Sequence, residues 1–567
     1  MSLAHSVRLR IVLWLLLGGL AVSPPIFADD ILDTMDKELK RAMKSLAKQD
    51  SPPYFISYEI RELDQVSTTA SFGALQQSSQ FKTRVLTVDL RVGSHALDNS
   101  RPLRSDVPAP PFSLVSTVPL PLDTNIKALQ KILWRETNKH FGEAKAMLTR
   151  VKANEGVSVA RADSSHDFSQ EKAQQYQGEV VSLEANKNLW EDKLRLFTDV
   201  FNRDPLILES RGAFQGSVET RWLVNSEGTK IRDSQPNYQL FINAQTRAQD
   251  GMELPGYRSY LARDIGDLPD DKQVIQDLEQ LVNELAALRE APVVDPFTGP
   301  AILTGRASGV FFHEVFGHRI EGHRQKNEEE GQTFRNKVGQ TILPENFSVH
   351  FDPGLKQVSG NPVAGHYLYD NQGVPGKRVD VVKNGLLQAF LMSRAPIDGF
   401  PQSNGHGRSQ VGFKPVARQS NMVVEVDQPL TSEQLKTELI KLIREQNQEY
   451  GLIFSDIQGG LTLTGRLIPN SFNVIPIMVH RLYPDGREEL VRGVDLIGTP
   501  LTAFSKVLAA DNQLQIFNGF CGAESGQVPV AAVSPSILLS EVEVQRKEIQ
   551  QLALPILPRP TNNNDRR

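Results

Sequence analysis

Pro292, Pro296 and the Gly299-Pro300 pair follow one another closely and cut the chain into two halves. Proline locks φ and donates no backbone hydrogen bond, so such a cluster punctuates a chain wherever it falls. The chain has 567 residues, well past the roughly 250–300 at which a single core stops growing. We therefore expect two domains, over residues 29–295 and 296–550, with the boundary near residue 295. Residues 551–567, rich in proline and asparagine, are expected to be a disordered tail.

The two halves differ in periodicity. Apolar residues at helical spacing predict helices over 30–48, 125–151, 189–201 and 271–288 in the first half. Alternation predicts strands over 54–59 and 84–92, and an antiparallel set over 206–264 turning at Asn225-Ser226-Glu227-Gly228. Residues 101–121 are proline-rich and read as a loop, and the Ser/Gln-rich stretch to 184 reads as helix plus loop. The second half is dominated by strand signals, at 378–382, 386–391, 421–426, 451–457, 471–483, 515–518 and 537–545. Asn384-Gly385 marks a tight hairpin between the first two. Helices are expected there only over 309–324 and 431–445. The fold class is α+β, with a mixed N-terminal domain and a largely antiparallel C-terminal domain.

Charge narrows the partners. The chain carries 62 Lys+Arg against 67 Asp+Glu with no long basic run, which argues against nucleic acid. Arg8 and Arg10 precede the apolar run Ile11–Val22, and Ile26-Phe27-Ala28 follows Pro24-Pro25. This is the pattern of an export signal over residues 1–28, too short to span a bilayer and leading to the periplasm. No later stretch is long and apolar enough to span a membrane. Export makes the single cysteine, Cys521, an anomaly, because oxidising compartments favour paired cysteines or none. Such a thiol should be buried and inert, paired with another chain, or protected by a metal.

The residues that carry chemistry lie just past the boundary. His313-Glu314-x-x-x-His318 supplies two imidazoles and an adjacent carboxylate, the parts of a hydrolytic zinc centre. Ligands at i and i+5 stand about 140° apart around a regular helix, so the two rings could not share an ion there. The spacing predicts an irregularity over 314–318, such as a π-bulge, with Gly317 tolerating the distortion. Two histidines leave zinc one protein ligand short, and Glu321, His323 or Cys521 could complete it. Glu321 could equally hold the ring of His318 in place. Cys521 is flanked by Gly519 and Gly522, and a thiolate held by zinc would explain how a lone thiol survives export.

Further motifs follow in order: Tyr369-Asp370-Asn371-Gln372-Gly373-Val374-Pro375-Gly376, Asn404-Gly405-His406-Gly407-Arg408, Pro415-Val416-Ala417-Arg418 with Asn421, Gly459-Gly460 and Cys521-Gly522. Together with the histidine motif, residues from about Pro300 to Glu541 resemble the TldD/PmbA family of metalloproteases, on its metal-binding, TldD-like side. The first half resembles the family less, as a longer domain with insertions. The resemblance implies one Zn2+ per chain held by His313, His318 and Cys521, with Glu314 as general base. It also implies cleavage of unfolded peptides in an enclosed chamber, and a dimer with a second copy or another family member.

The expected function is thus that of an exported zinc-dependent peptidase. Gly459 and Gly460 could hold substrate backbone by strand addition, although a bulge is the simpler reading of two glycines in a strand. His406 and Arg408 could polarise the carbonyl or face the cleft. The competing reading is a non-catalytic exported scaffold or partner subunit whose zinc is structural and closed by Glu321.

Overall fold

The computed structural model describes residues 29–103, 114–123, 125–157, 163–466 and 471–547. The expected export signal, the expected tail over 551–567 and residues 104–113 of the proline-rich segment lie outside these residues. No described helix is long and apolar enough to cross a membrane.

The N-terminal half is one large sheet. Strands Pro53–Ser71, Ala74–Val92, Ile207–Asn225 and Lys230–Arg247 run antiparallel, and Glu253–Ala262 adds to the last of them. The expected strands 54–59 and 84–92 are the inner ends of a far longer hairpin, whose outer part buries only Val66 and Ala70 with Thr68 between them, too few apolar residues to show an alternation in the sequence. Side chains of a strand alternate between faces, and here the even-numbered ones face helices. Ile56, Tyr58, Ile60, Trp222 and Val224 meet the helices Asp30–Leu46 and Ile126–Val157. Further along, Phe214, Leu240 and Ile242 meet Lys187–Asp199 and Asp271–Glu290. The last helix starts where Asp270 accepts the Gln273 N–H, and it buries Leu278, Leu281, Leu285 and Leu288 on one stripe. Odd-numbered residues, among them Gln215, Ser217, Asn237 and Gln239, point the other way and line cavities against the second half.

Among the described residues that second half holds two large sheets and two small two-stranded ones. One large sheet runs in the order 386–387, 379–383, 347–351, 421–426, 526–534, 515–523, with 421–426 parallel to 526–534. In the other, 451–462, 297–303, 537–546, 494–498 and 472–482 are neighbours, and 472–482 pairs back to 451–462 to close a ring. Strand Phe297–Leu303 runs through the Gly299-Pro300 pair that marks the domain boundary in the sequence. Pro300 falls at the register shift between Leu539 and Val542 of the neighbouring strand, where the ladder does not need its missing N–H. The helix Ser432–Glu445 starts with a capping box between Thr431 and Gln434 and covers the outside of the ring.

The helix Gly305–Val315 lies between the two sheets, with Val310, Phe311, Phe312 and Val315 buried in the largest core. It packs close because its contact face is small: a Cβ on Gly305 would sit 2.6 Å from Ser534 O, and one on Gly309 3.1 Å from Ala532 O. Ser308 Oγ and Ser534 Oγ are 2.7 Å apart across the same contact. Strand 526–534 pairs residue by residue with 515–523, so this tight seam also brings Cys521 alongside the helix end.

Candidate metal centre

The helix carrying His313 and Glu314 does not continue to 324. It stops at Val315, and Phe316, with φ −115° and ψ −53°, leads into a 3-10 turn over Gly317–Ile320. An extended Glu321 precedes a second short helix, Gly322–Lys326. The irregularity expected from the i, i+5 spacing is present, but as a break and a tighter turn rather than a π-bulge. A 3-10 turn advances about 120° per residue instead of about 100°, and that change of phase brings His318 round to His313. The two ring centroids are 5.0 Å apart. Gly317 serves a steric purpose here: a Cβ on it would lie 2.1 Å from Gln419 Oε1.

Cys521 completes the cluster. One ligand atom from each of His313, His318 and Cys521 lies within 4.8 Å of the others, and Cys521 Sγ is 3.3 Å from His318 Nε2. A tetrahedral zinc with bonds of about 2.0–2.3 Å needs donor-to-donor edges of about 3.3–3.8 Å, so the three atoms need only a small inward movement to hold one. The donor chemistry fits as well. Burial pushes the Cys521 thiol up, but His318, Arg418 and His313 together outweigh it and hold the thiol well below its usual range. That favours the thiolate a metal requires. Burial likewise pushes His318 down, and Cys521 with Glu321 raises it well above the ordinary imidazole value.

Of the alternative third ligands, neither is free to join. Glu321 is fully buried behind His318, its Oε2 3.4 Å from Nδ1 of that ring and accepting from Arg324 Nε at 2.9 Å. Its Oε1 lies 3.4 Å from Arg418 Nε. Burial raises this carboxyl, but His318, Arg324 and Arg418 hold it down at about 2. Glu321 is thus placed to orient a ligand. His323 pairs with Glu524 at the rim. Glu321→Gln is expected to lower zinc affinity by about 10–100-fold, read by competition with a chromophoric chelator.

Three residues given no role in the sequence reading hold the centre together. Arg418, fully buried, donates to Cys521 O at 2.6 Å, Ser525 Oγ at 2.7 Å and Gly526 O at 3.0 Å, and so ties the cysteine hairpin to Glu321. Gln419 sets its Nε2 3.5 Å from His313 Nε2. Arg319 donates to Glu314 O at 2.8 Å and to Thr462 Oγ1 at 2.6 Å, joining the helix end to the strand beyond it. Apart from that between Arg319 and Glu314, these contacts span a long stretch of sequence, and of the three residues only Arg418 lies within a motif named above.

A cleft of about 820 Å³ opens over the cluster. Glu314, 7% exposed, lines it beside Gly460, whose hydrogen faces the carboxylate stem: a Cβ there would lie 2.5 Å from Glu314 Cγ. Strand 451–462 shifts register between Ile457 and Gly459, so the glycines form the bulge that was the simpler expectation, and they also line the cleft. Among the described residues the strand pairs with 297–303 only as far as Phe454, which leaves its outer part with one ladder partner. Across the cleft, 515–523 is the edge strand of its sheet. The roof is the N-terminal sheet, through Gln239, Phe241 and Tyr257.

His406 and Arg408 are not in this cleft. His406 is fully buried between Asn404 and Ser420, 3.1 Å from Ser420 Oγ, and burial pushes it down to about 3, so it is a neutral core histidine. Arg408 donates to Gln419 O and, at 2.8 Å, to Pro529 O, and its guanidinium lies 4.8 Å over Tyr367. It lines a separate chamber behind the cysteine hairpin. The expectation that either faces the reacting carbonyl is corrected: His406 is held in the core by Asn404 and Ser420, and Arg408 lines a chamber away from the metal-site cleft.

Residues 297–546 match the PmbA/TldA metallopeptidase C-terminal domain and residues 188–312 the central domain of the same family. Together these cover more than half of the chain. It belongs to the PmbA/TldD family. A protein named metalloprotease from Methanothermobacter thermautotrophicus is 26% identical over 328 residues, 57% of this chain and 66% of the relative. A zinc metalloprotease TldD homolog from Saccharolobus solfataricus is 22% identical over 410 residues, 71% of this chain and 84% of that one. The chain spans 47% to 66% of the length of three archaeal relatives named metalloproteases. The crystal structure of TldE from Thermococcus kodakarensis superposes with a TM-score of 0.61 at 14% identity, covering 90% of this chain and 100% of that one. The PmbA/TldD fold therefore extends over the N-terminal sheet as well as the metal-site half.

Proposed function

We propose that this PmbA/TldD chain is a zinc-dependent peptidase acting on unfolded peptides, with one zinc held by His313, His318 and Cys521. The observation that carries the reading is the position of Glu314, in the cleft beside the three-donor cluster and between two under-paired strand edges. The relatives' names, metalloprotease and zinc metalloprotease, support the same reaction class.

When bound, zinc supplies Lewis-acid polarisation of the scissile carbonyl and makes a nearby water a better nucleophile at neutral pH. The chain's own residues do the rest. Glu314 takes the proton of the attacking water and passes it to the leaving amine. Glu321 holds the His318 ring through Nδ1, and Arg418 holds the Cys521 backbone. Substrate lies extended along the edge near Gly459 and Gly460, recognised through its backbone and so with little regard to side chains. Such binding requires an unfolded segment, because a folded one has no free backbone to offer.

A scaffold reading, with zinc closed by Glu321, is not favoured, since that carboxylate is engaged by Arg324, Arg418 and His318. Residues 1–28 support export to the periplasm, where a zinc-held thiolate is protected from oxidation. We further propose that the enzyme works as a dimer, with a second copy or another family member.

The proposal is tested by stripping the purified full chain with a chelator and assaying hydrolysis of an unfolded, fluorescently labelled protein before and after zinc is restored. Activity lost and regained supports the reading; full activity in the metal-free chain refutes it. Gly460→Ala is a second test. The added Cβ must displace Glu314, and misplacement by about 1 Å costs on the order of 100-fold in rate. Zinc content should not change.

A further inference from the structure

Behind the cysteine hairpin lies the second chamber, of about 640 Å³. Gln239 and Phe520 line both this chamber and the metal-site cleft, so the two adjoin. One strand face runs along both: Asp233, Gln235 and Asn237 line the chamber, Gln239 the junction and Phe241 the cleft. From Asp233 to Phe241 this face is about 26 Å long at about 3.3 Å per residue. A peptide extended from the metal site into the chamber would span about eight residues on the same spacing.

The charges in the chamber are unevenly paired. Arg221 faces Asp233 at 3.0 Å, and Arg61 lies 3.1 Å from Glu59 and 3.8 Å from Glu219. Asp370 is occupied by the backbone N–H groups of Gln372, Val374 and Gly407. Arg263 and Arg408 have no carboxylate within ion-pair distance among the described residues. Arg263 donates only to the carbonyls of Pro236, Ala364 and His366, and its buried Nε has no partner. Arg408, 5% exposed, donates only to carbonyls as well. Burial and the neighbouring Arg408 push Arg263 down to about 10, so both remain cations at neutral pH. The carboxylates that line the chamber, Glu219, Asp233 and Asp370, are engaged by Arg61, Arg221 and backbone N–H groups, so these two guanidinium charges have no ion-paired partner of their own, and an incoming carboxylate would offset the cost of enclosing them.

We propose that this chamber takes the carboxyl-terminal end of the peptide substrate, with Arg263 and Arg408 as the anchor for its terminal carboxylate. The inference rests on the peptidase reading and refines it: cleavage would release carboxyl-terminal fragments of several residues. The test uses the zinc-loaded full chain carrying Glu314→Gln, so that peptide binds without turnover. An unstructured peptide of about twelve residues, long enough to reach from cleft to chamber, is titrated as the free acid and as the carboxyl-terminal amide. The amide is expected to bind about tenfold more weakly or worse, because it loses a charge-assisted contact. Adding Arg263→Gln should shrink the difference between the two forms.

Equal affinities, or a difference that Arg263→Gln and Arg408→Gln both leave untouched, overturn the anchor but not the peptidase reading. Failure of both peptides to bind overturns the two together. The acid-to-amide comparison needs no chamber variant, so it decides the matter even if an arginine variant does not fold.

Discussion

Replacing Glu314 by glutamine is expected to remove peptide hydrolysis while leaving zinc in place. The substitution keeps the size of the side chain, and so its packing against Gly460, but the amide cannot accept a proton from water. General base catalysis accounts for about 10²–10⁴-fold of an enzyme's rate, and a fall in kcat of that order is the expected result. Glu314 is not one of the three clustered donors, so zinc content should match that of the unaltered chain. Zinc retained with activity lost separates a proton-transfer role from a structural one. A Glu314→Gln chain that still hydrolyses peptides at the original rate would remove Glu314 from the mechanism.

The second large effect is expected at Cys521. Cys521→Ala leaves two histidines, too few donors for a tight zinc site. Affinity should fall by more than the roughly 10–100-fold typical of losing a ligand's hydrogen-bond partner. Stability reports the same event. A metal that binds only the folded chain adds about 2.7 kcal/mol at a hundred times its Kd. Zinc should therefore raise the melting temperature of the stripped original chain and leave that of Cys521→Ala nearly unmoved. An equal shift in both would show that the zinc sits elsewhere.

Much of this centre was legible before any coordinates. The i, i+5 spacing of His313 and His318 is incompatible with a continuous helix, and the chain breaks at Phe316 as that spacing demands. The form of the break was not legible, and neither was the close approach of Gln419, far along the chain, that leaves room for no side chain at Gly317. Cys521 stood out because a lone thiol, in a chain that begins with the pattern of an export signal, would need protection. The role of Arg418 did not stand out, because it consists of contacts with residues far away in the sequence, Cys521, Ser525, Gly526 and Glu321. His406 and Arg408 were misplaced for a related reason: polar residues in a glycine-rich motif suggest a site, but here neither lines the metal-site cleft, His406 being buried against Ser420 and Arg408 lining the adjoining chamber.

The same contrast holds for the fold. Amphipathic helices such as Asp271–Glu290 announce themselves through one apolar stripe. The long hairpin over 53–92 shows its apolar face clearly only at the inner end, because Thr68 shares the buried outer face with Val66 and Ala70, and strand Phe297–Leu303 hides behind Gly299 and Pro300. Local periodicity reports burial on one face; it is weak where polar residues share the buried face and silent where a bulge accommodates a proline.

X-ray absorption at the zinc edge on the purified full chain addresses the centre most directly. The account predicts one zinc per chain, with two nitrogen neighbours at about 2.0–2.1 Å and one sulfur at about 2.3 Å, the sulfur contribution vanishing in Cys521→Ala. Zinc with no sulfur in its shell, or a spectrum unchanged by Cys521→Ala, would contradict it.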